Sequence, residues 1–587
     1  MAQSDARFGY RAKLGRTDFD LSHKNLFTAC PGHLLPIFAD IATPGDSYYI
    51  KHDLTFLRTA PLAAPAQIDV KVHFESFFVP FQMIYQPSEN TIFSLNNIQS
   101  SNFNPNSLRN NNFPLMDLAD YSTSLTTGSY ATSRHRHDAF RLFDMLNLNP
   151  WNVSLYAHLG NTYAFAPNIF PWQLLAYHTI FNYYYRLDDK TQFDNTICNW
   201  DTYYGSLSAQ GLSSAGADLV LLHDRPWKFD YFTSMYRSPI VSDANLQNIL
   251  PSGSYSHLVS NHTVPINGSG VVSVSNSDDN SFTSIFNASY SPQNLRVNLS
   301  TASIRQMLAN EKLAMITGRT KKNYDSQVLA HFGIDVPHDV KHDITLIGQD
   351  SYPLRIGEVT SLATTEQGPL GELAGKGWAT SPDDVKQHKF VAPCHGIVMT
   401  IFSIEPEQRY IAGFADYNSV TTAFDLPVPE FDRLGNLPMH RYELGHIRSS
   451  DNFSDIVGWK ERYYYWKRRF DKGSMAFMAP AQSSNFYVTN NFASYGIVNI
   501  PFANNAQRQP NVPRPDLESS FYINPNAMDN LMLVQYINGW VVSETEGEEN
   551  WNATPWLAYS RDPFIVDTWL KVKKVSWMSK DGEPIYD

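Results

Sequence analysis

Charge is scarce in this chain. Asp, Glu, Lys and Arg make up 17% of its 587 residues, against about 25% in an average globular protein. The charge that is present leans acidic, with a formal net of −12. Alone, such a chain is a poor neutraliser of nucleic acid, whose affinity comes from Lys and Arg at phosphates. Cysteine is scarcer still. Cys30, Cys198 and Cys394 are widely spaced and odd in number, which gives no disulfide framework and no zinc pattern; they read as free thiols in a reducing compartment. No apolar run is long enough to span a bilayer, and the opening MAQSDARFGYRAKLGR lacks the apolar core of a signal peptide. No membrane insertion is therefore expected, and sequons such as Asn152-Val153-Ser154 and Asn287-Ala288-Ser289 need not mean glycosylation. The chain has no Gly-x-Ser-x-Gly elbow, His-Glu-x-x-His or Walker motif and no internal repeat. The expectation is a protein with no catalytic residue, no cofactor and no metal site.

What the sequence does hold is aromatic surface. Phe, Tyr and Trp reach 14%, with 36 Phe and 32 Tyr, beside 35 Pro and 30 Gly. This composition describes a loop-rich β protein with a polar but uncharged surface. Such a surface suits wide contacts with neighbours, because interface cores are depleted in charge and enriched in Tyr. At 43% hydrophobic content a chain of this length can bury a large core.

The organising stretch is IDVKVHFESFFVP, Ile68 to Pro80. Ile68, Val70, Val72 and Phe74 alternate with Asp69, Lys71, His73 and Glu75, the period-two pattern of a strand with one buried and one wet face. From Phe77 to Phe81 the run is almost continuously apolar. The strand's end is thus expected to be covered on both faces, by distant chain or by another subunit.

Other elements follow along the chain. Residues 1–17 are polar and mildly basic and read as an arm, and Pro36 to Ser47 ends in a turn at Pro44-Gly45. Tyr48 to Leu57 is extended. Ala139, Leu142, Phe143 and Leu146 share one helix face; Leu174, Tyr177, Phe181 and Tyr184 share another, with Pro171 at its start. A third helix is expected over 301–316, with Ile304, Met307, Leu308 and Met315 on one side. Residues 319–390 read mostly as loop, including the Gly-rich Gly368 to Trp378, whose spacing matches no phosphate loop. Gly396 to Ile404, Leu531 to Val542 and Phe564 to Val575 read as strands. Strands at both ends with long excursions between them suggest one barrel or sandwich completed by distant segments.

Three groups of side chains invite chemistry. Asp416, Asp425, Glu430 and Asp432 are candidate paired carboxylates, but nothing sets two of them across a cleft. His331, His338 and His342 near Asp335, Asp339 and Asp343 are metal-ligand types in a segment that reads as solvated surface. The third is KERYYYWKRR. Lys460, Arg462, Tyr464, Trp466, Lys467, Arg468 and Arg469 interleave cations with aromatics, a mixture that holds phosphates and stacks bases; the competing reading is a subunit contact. Smaller basic clusters are Arg134-His135-Arg136-His137 and Lys571-x-Lys573-Lys574.

Several blocks, in order, resemble one family. They are FDLSHKNLFTACPGHLLPIFADIATPGDS (19–47), FLRTAPLAAPAQIDVKVHFESFFVP (56–80), the Tyr-rich segment 171–186, DYFTSMYRSP (230–239), STASIRQMLANEKL (300–313), HGIVMTIFSIEPEQRY (395–410), YNSVTTAFDLPVPEFDRLG (417–435) and WKERYYYWKRRFDKG (459–473). The chain resembles the major capsid proteins of the Microviridae, small single-stranded DNA bacteriophages, closest to the gokushovirus branch.

The resemblance implies an all-β fold, an eight-stranded antiparallel jelly-roll barrel with long loop insertions and a few helices. Residues 18–587 would form that single domain, self-assembling into a T=1 shell around a circular single-stranded DNA genome. Implied partners are an internal scaffolding protein, a DNA pilot protein, a small basic packaging protein and a bacterial host surface receptor, with assembly in the host bacterial cytoplasm. Segment 241–298 sits where the family carries a variable insertion, implied to protrude near the threefold axis. From Pro251 to Leu295 it has no Lys, Arg or Glu, so three copies are expected to bury Val271, Val272, Val274, Ile285 and Phe286 together. Two other classes stay in view: a jelly-roll carbohydrate-binding protein or glycosidase, and a tail or fibre protein.

Overall fold

The computed structural model describes residues 16–60, 62, 68–85, 116–117, 141–148, 168–169, 171–187, 221–236, 264–265, 271–272, 343–360, 373–410, 415–418, 420, 426–432, 435–444, 456–475, 488–490, 521–523, 525, 528 and 562–578. Ten strand segments build one antiparallel sheet: β1 (Thr17–Asp20), β2 (His23–Ala29), β3 (Leu35–Ala42), β4 (Ser47–Thr59), β5 (Val70–Pro80), β6 (Thr345–Thr360), β7 (Leu373–Ala379), β8 (His388–Val391), β9 (Gly396–Pro406) and, at the far end of the chain, a strand Phe564–Ser576. Two further strands, β10 (Asn436–His440) and β11 (Ile456–Glu461), form a separate pair, which makes Phe564–Ser576 β12. The order across the sheet is β1-β12-β4-β7-β6-β5-β9-β3. β2 lies beside β1 along the same edge of β12, and β8 lies beside β7 along the same edge of β4. Ten segments thus fill eight positions, the count of a jelly roll.

The sheet curls so that its halves face each other. Leu54, Leu57, Phe564 and Val566 from one half pack with Leu35, Ile37, Val70, Val72, Phe74, Phe402 and Ile404 from the other. A second interior cluster joins Tyr48, Ile50, Leu570 and Val572 to Phe38, Phe78 and Val398. A polar thread crosses this interior. His52 Nε2 lies 2.7 Å from Ser76 Oγ, which lies 2.8 Å from Thr400 Oγ1. His52 Nδ1 meets Asp350 Oδ2 at 2.7 Å.

The expectation of a wet face on β5 is overturned. Asp69 and Lys71 are exposed, but His73 and Glu75 are buried. The cover comes from this chain's own excursions. The helix Trp172–Ile180 runs into a π-turn, Phe181–Tyr185, closed by Arg186 N–H donating to Phe181 O at 2.8 Å. The extra residue of that turn brings Tyr184 and Tyr185 both against Phe77, with ring centroids 4.7 and 6.0 Å apart. Trp172 stacks on Phe81.

Glu75, 1% exposed, accepts from Arg225 Nη1 at 2.9 Å, from Nη2 at 3.3 Å and from the Tyr185 hydroxyl. Arg225 also donates to Ser403 Oγ at 2.9 Å, and His73 Nε2 lies 2.7 Å from Glu405. β9 is consequently buried on both faces, as its apolar run suggested.

The reading of 319–390 as mostly loop is also corrected, since β6, β7 and β8 lie there. Gly348, Pro353 and Gly357 disguise β6. Pro353 pairs with Lys71, while β7 engages β6 only from Arg355 onward, so the missing N–H leaves no gap in a second ladder. In β7, a Cβ on Gly377 would stand 2.6 Å from Thr59 Cγ2, so the glycine permits a close strand approach.

The first expected helix is present over 141–145, with Leu142, Phe143 and Leu146 buried; Ala139 lies outside the described residues. Asn147 at φ 56° closes it, with Leu148 N–H donating to Phe143 O at 2.7 Å, a left-handed cap that Asn tolerates. Arg141 on this helix reaches Asp562, which also accepts from Thr28 and from the Cys30 thiol. Burial pushes the Cys30 thiol up, so it stays protonated and donates. The turn at Pro44-Gly45 is present, with Gly45 at φ 89°. Helix 301–316, strand 531–542, Cys198 and the Arg134 cluster lie outside the described residues.

Two outcomes follow from these buried charges. Arg225→Met leaves Glu75 with one donor and should destabilise the full chain by roughly 3–5 kcal/mol in denaturation, whereas pairing it with Glu75→Leu should recover most of the loss. Asp562 behaves differently with pH. Burial works to raise its carboxyl, but Arg141 and the hydrogen bonds from Cys30 and Thr28 bring it to about 2, from an ordinary 3.8. A depressed folded value means that its contribution, about 2 kcal/mol, is present above pH 4 or so and is lost as pH falls through about 2. Melting curves from pH 5 to 2 should fall more steeply for the native chain than for Asp562→Asn.

Candidate nucleic-acid interface

The stretch Lys460 to Arg469 begins on β11, turns at Tyr463 and ends after a short helix, Tyr464–Lys467. A satellite core holds it, made of Tyr231, Phe232, Met235, Tyr410, Met439, Tyr464 and Phe521. The first part of the block 230–239, DYFTSMY, anchors that core: Asp230 caps the turn by accepting from the backbone N–H of Phe232 and Thr233, both at 2.9 Å, and from the Tyr410 hydroxyl at 2.6 Å. Tyr463 sits at φ 56°, left-handed backbone for a buried aromatic, a conformation that costs on the order of 1–3 kcal/mol.

The fold sorts the seven residues of the basic stretch into two groups. Lys460 is 2% exposed, its ammonium 2.7 Å from Glu443 and 2.8 Å from Asp416. Burial raises the Glu443 carboxyl, and Asp416 adds to this against the pull of Lys460. Tyr464 is buried beneath Arg468, whose guanidinium stands 5.7 Å from its ring centre. Lys467 pairs with Asp432 at 2.7 Å and reaches Glu461 at 3.6 Å. Arg462 is half-buried, 6.0 Å from the ring of Tyr463. Trp466 is 74% exposed, and Arg468 and Arg469 are exposed, with Arg469 5.4 Å from the exposed ring of Tyr417.

Arg468 and Arg469 border a cleft of about 470 Å³ with Lys71, Lys228 and the exposed Phe229. Asp69, Asp230, Glu405, Glu407 and Asp471 line it too. Burial, then Asp471 and Asp69, push the Glu407 carboxyl up, as expected where carboxylates crowd. A phosphate is favoured on the arginine rim and opposed on the acidic wall, while Phe229 offers an exposed face to a base.

Of the candidate carboxylates, Asp416 and Asp432 are counter-ions to Lys460 and Lys467, Glu430 stands on the surface, and Asp425 lies outside the described residues. His331, Asp335, His338, Asp339 and His342 also lie outside them; Asp343 caps the backbone N–H of Ile344 at 2.8 Å. In the insertion, Val264–Pro265 and Val271–Val272 form a short antiparallel ladder. Val274, Ile285 and Phe286 lie outside the described residues. The sequence reading missed Asp230, Phe229 and Glu443. Asp230 alone carried a signal, an Asp just ahead of a Tyr-Phe-Thr turn.

Fold and site together define a structural β protein in which Lys460 and Lys467 are held by Glu443, Asp416 and Asp432. The chain matches the phage capsid protein family (F protein) over residues 10–140 and 152–544, and it belongs to that family. It is also similar to the capsid protein VP1 of Chlamydia phage 1, 22% identical over 596 residues that span 87% of this chain and 94% of that protein. It is a structural capsid protein of a Microviridae phage, located in the virion. No helix among the described residues is long and apolar enough to cross a membrane.

The two groups of the basic stretch should respond differently. Lys460→Ala leaves Glu443 buried without its cation and should lower stability by roughly 3–5 kcal/mol. Arg468→Ala with Arg469→Ala should leave the melting temperature near native. The double variant should weaken binding of single-stranded oligonucleotides and reduce the salt slope by about 1.4, at about 0.7 for each phosphate no longer neutralised. Filter binding across a salt series measures both.

Proposed function

We propose that the chain builds a closed T=1 icosahedral shell around a circular single-stranded DNA genome. Capsid family membership carries this reading. The surface supports it. Leu26, Ile41, Val391 and Trp569 are exposed on sheet strands, and Trp577 and Met578 just beyond β12, although the barrel already has a complete interior. In a shell, copies of the same chain would cover these side chains. Trp466, Arg468 and Arg469, with Arg462 beside them, are the part of the basic stretch that meets DNA, by stacking and by phosphate contact without sequence preference. Lys460, Tyr464 and Lys467 hold that surface in place.

An acidic chain leaves most genome charge to a separate small basic packaging protein. An internal scaffolding protein and a DNA pilot protein complete the assembly, in the host bacterial cytoplasm. Segment 241–298 forms a trimeric protrusion that buries Val271, Val272, Val274, Ile285 and Phe286 at the threefold axis and touches a host surface receptor. Among the described residues no strand of the main sheet comes from it, and the barrel does not need it.

Replacing 251–295 with a short Gly/Ser linker should leave shells that sediment and look closed in electron micrographs but no longer adsorb to cells. Loss of the fold, or unchanged adsorption, would overturn the assignment of the protrusion. A monomer both in native virions and on co-expression with scaffold would overturn the shell.

A further inference from the structure

The polar thread through the barrel ends in a cluster whose three members stand far apart in sequence. His52 comes from β4, Asp350 from β6 and His388 from β8. His52 is fully buried, His388 nearly so, and Asp350 is half-buried at the mouth. His52 Nδ1 and His388 Nε2 converge on the same oxygen, Asp350 Oδ2, at 2.7 and 2.8 Å. All three candidate ligand atoms lie within 4.8 Å of one another. We propose that His52, Asp350 and His388 form a binding site for a divalent transition metal ion of the zinc class.

Three features of the cluster suit an ion. The first is the donor set. Two imidazoles and one carboxylate are borderline ligands for zinc, which takes three protein ligands plus a water in an open site. Tetrahedral coordination needs donor atoms about 3.3 Å apart, at bond lengths near 2.0–2.1 Å. The present separations from Asp350 are about half an ångström short of that and the two imidazole nitrogens lie within 4.8 Å of each other, so an ion needs Asp350 to draw back and the nitrogens to settle near that spacing.

The second is a proton relay behind His52. Without metal, Nδ1–H donates to Asp350, and Nε2 accepts from Ser76. A metal on Nδ1 needs the other tautomer, with Nε2–H donating. Ser76 and Thr400 permit it, because either hydroxyl of that pair can be the donor. Rotating two hydroxyls reverses the direction of the relay, and Ser76 becomes the outer partner that fixes the ligating imidazole. On loading, the proton leaves His52 Nδ1 and one is taken up at Nε2, so the ring stays neutral; His388, whose Nε2 faces the same oxygen at 2.8 Å, must likewise carry its proton on Nδ1 to ligate.

The third is the seat of His388. Its ring occupies the space over Gly348, where a Cβ would lie 2.2 Å from the ring's Cγ and Nδ1. Gly348 also marks a register shift between β6 and β5. The bulge and the missing side chain hold the second imidazole against Asp350. An occupied site would staple β4, β6 and β8, joining the two halves of the curled sheet.

The test uses assembled particles, stripped with chelator, equilibrated with micromolar zinc and dialysed into metal-free buffer. Metal analysis should find about one zinc per chain and at least tenfold less in His388→Ala particles. Zinc far below one per chain, or equal retention by the variant, overturns the site in favour of a plain hydrogen-bonded clamp. Should His388→Ala fail to assemble, cobalt(II) added to native particles decides. Intense visible absorption of a tetrahedral nitrogen and oxygen site supports the proposal, and only the pale spectrum of hydrated cobalt overturns it.

Discussion

A carboxylate in the middle of a β-sheet, 1% exposed, cannot be left without partners. Glu75 is that group, and much of the architecture is the answer to it. Its neighbours on the same face, His73 and Phe77, would sit in water if the sheet were bare. Arg225 neutralises Glu75 with two donors, and Tyr185 supplies a third. Burial and the adjacent carboxylate push the Tyr185 hydroxyl well above its ordinary pKa, so it remains a donor. To deliver those groups, a helix ending in a π-turn and a separate segment around 225 must both lie on the outside of β5. Once there, they bury Phe77, Phe81 and Met399. One buried charge thus fixes where two excursions dock, and the excursions turn a one-sided sheet into the middle layer of the molecule.

That cover explains where the sequence could be read and where it could not. Period-two alternation found β5, and the unbroken apolar run of β9 announced burial on both faces. Helix spacing found 141–145 and Trp172–Ile180, because amphipathic stripes are local. The fate of His73 and Glu75 was not local. Their alternation reads as a wet face unless one knows that Arg225, 150 residues on, will arrive. β6 was hidden for another reason: its one-sided pairing tolerates proline, and its bulge uses glycine, so its composition mimics a loop. His52, Asp350 and His388 share no spacing at all, since only the curl of the sheet brings them together.

The basic stretch shows a related division of labour. Lysine and arginine alternate there with aromatics, and sequence alone cannot say which cations face water. Lys460 goes inside because its compact ammonium can be enclosed by Glu443 and Asp416, two point charges. The arginines stay near the surface, where planar guanidinium groups stand against aromatic rings. Charge used inside the fold is withdrawn from any ligand. In this stretch Arg468 and Arg469 reach solvent near the exposed rings of Trp466 and Tyr417, and the acidic wall of the neighbouring cleft limits how phosphates can approach them. Such a surface suits repeated weak contact with a flexible strand, multiplied over many copies, more than tight binding by one chain.

The same topology constrains when the protein can fold. β12 pairs along most of β4, yet Lys571 and Asp53, which meet across that ladder, are 518 residues apart. Ser76 and Thr400, which meet between β5 and β9, are separated by 324. Neither β4 nor β5 has its partner until most of the chain exists. Until then their apolar faces and unpaired edges are open to other chains. Closing such long loops costs entropy before any contact repays it, which makes folding slow. The barrel therefore completes only after the C-terminal strand arrives, and surfaces built on its finished strands cannot meet neighbours earlier. In a protein made to associate with its own copies, late closure keeps interface formation behind folding, because the interface-bearing strands do not exist as a surface until the last strand is in place.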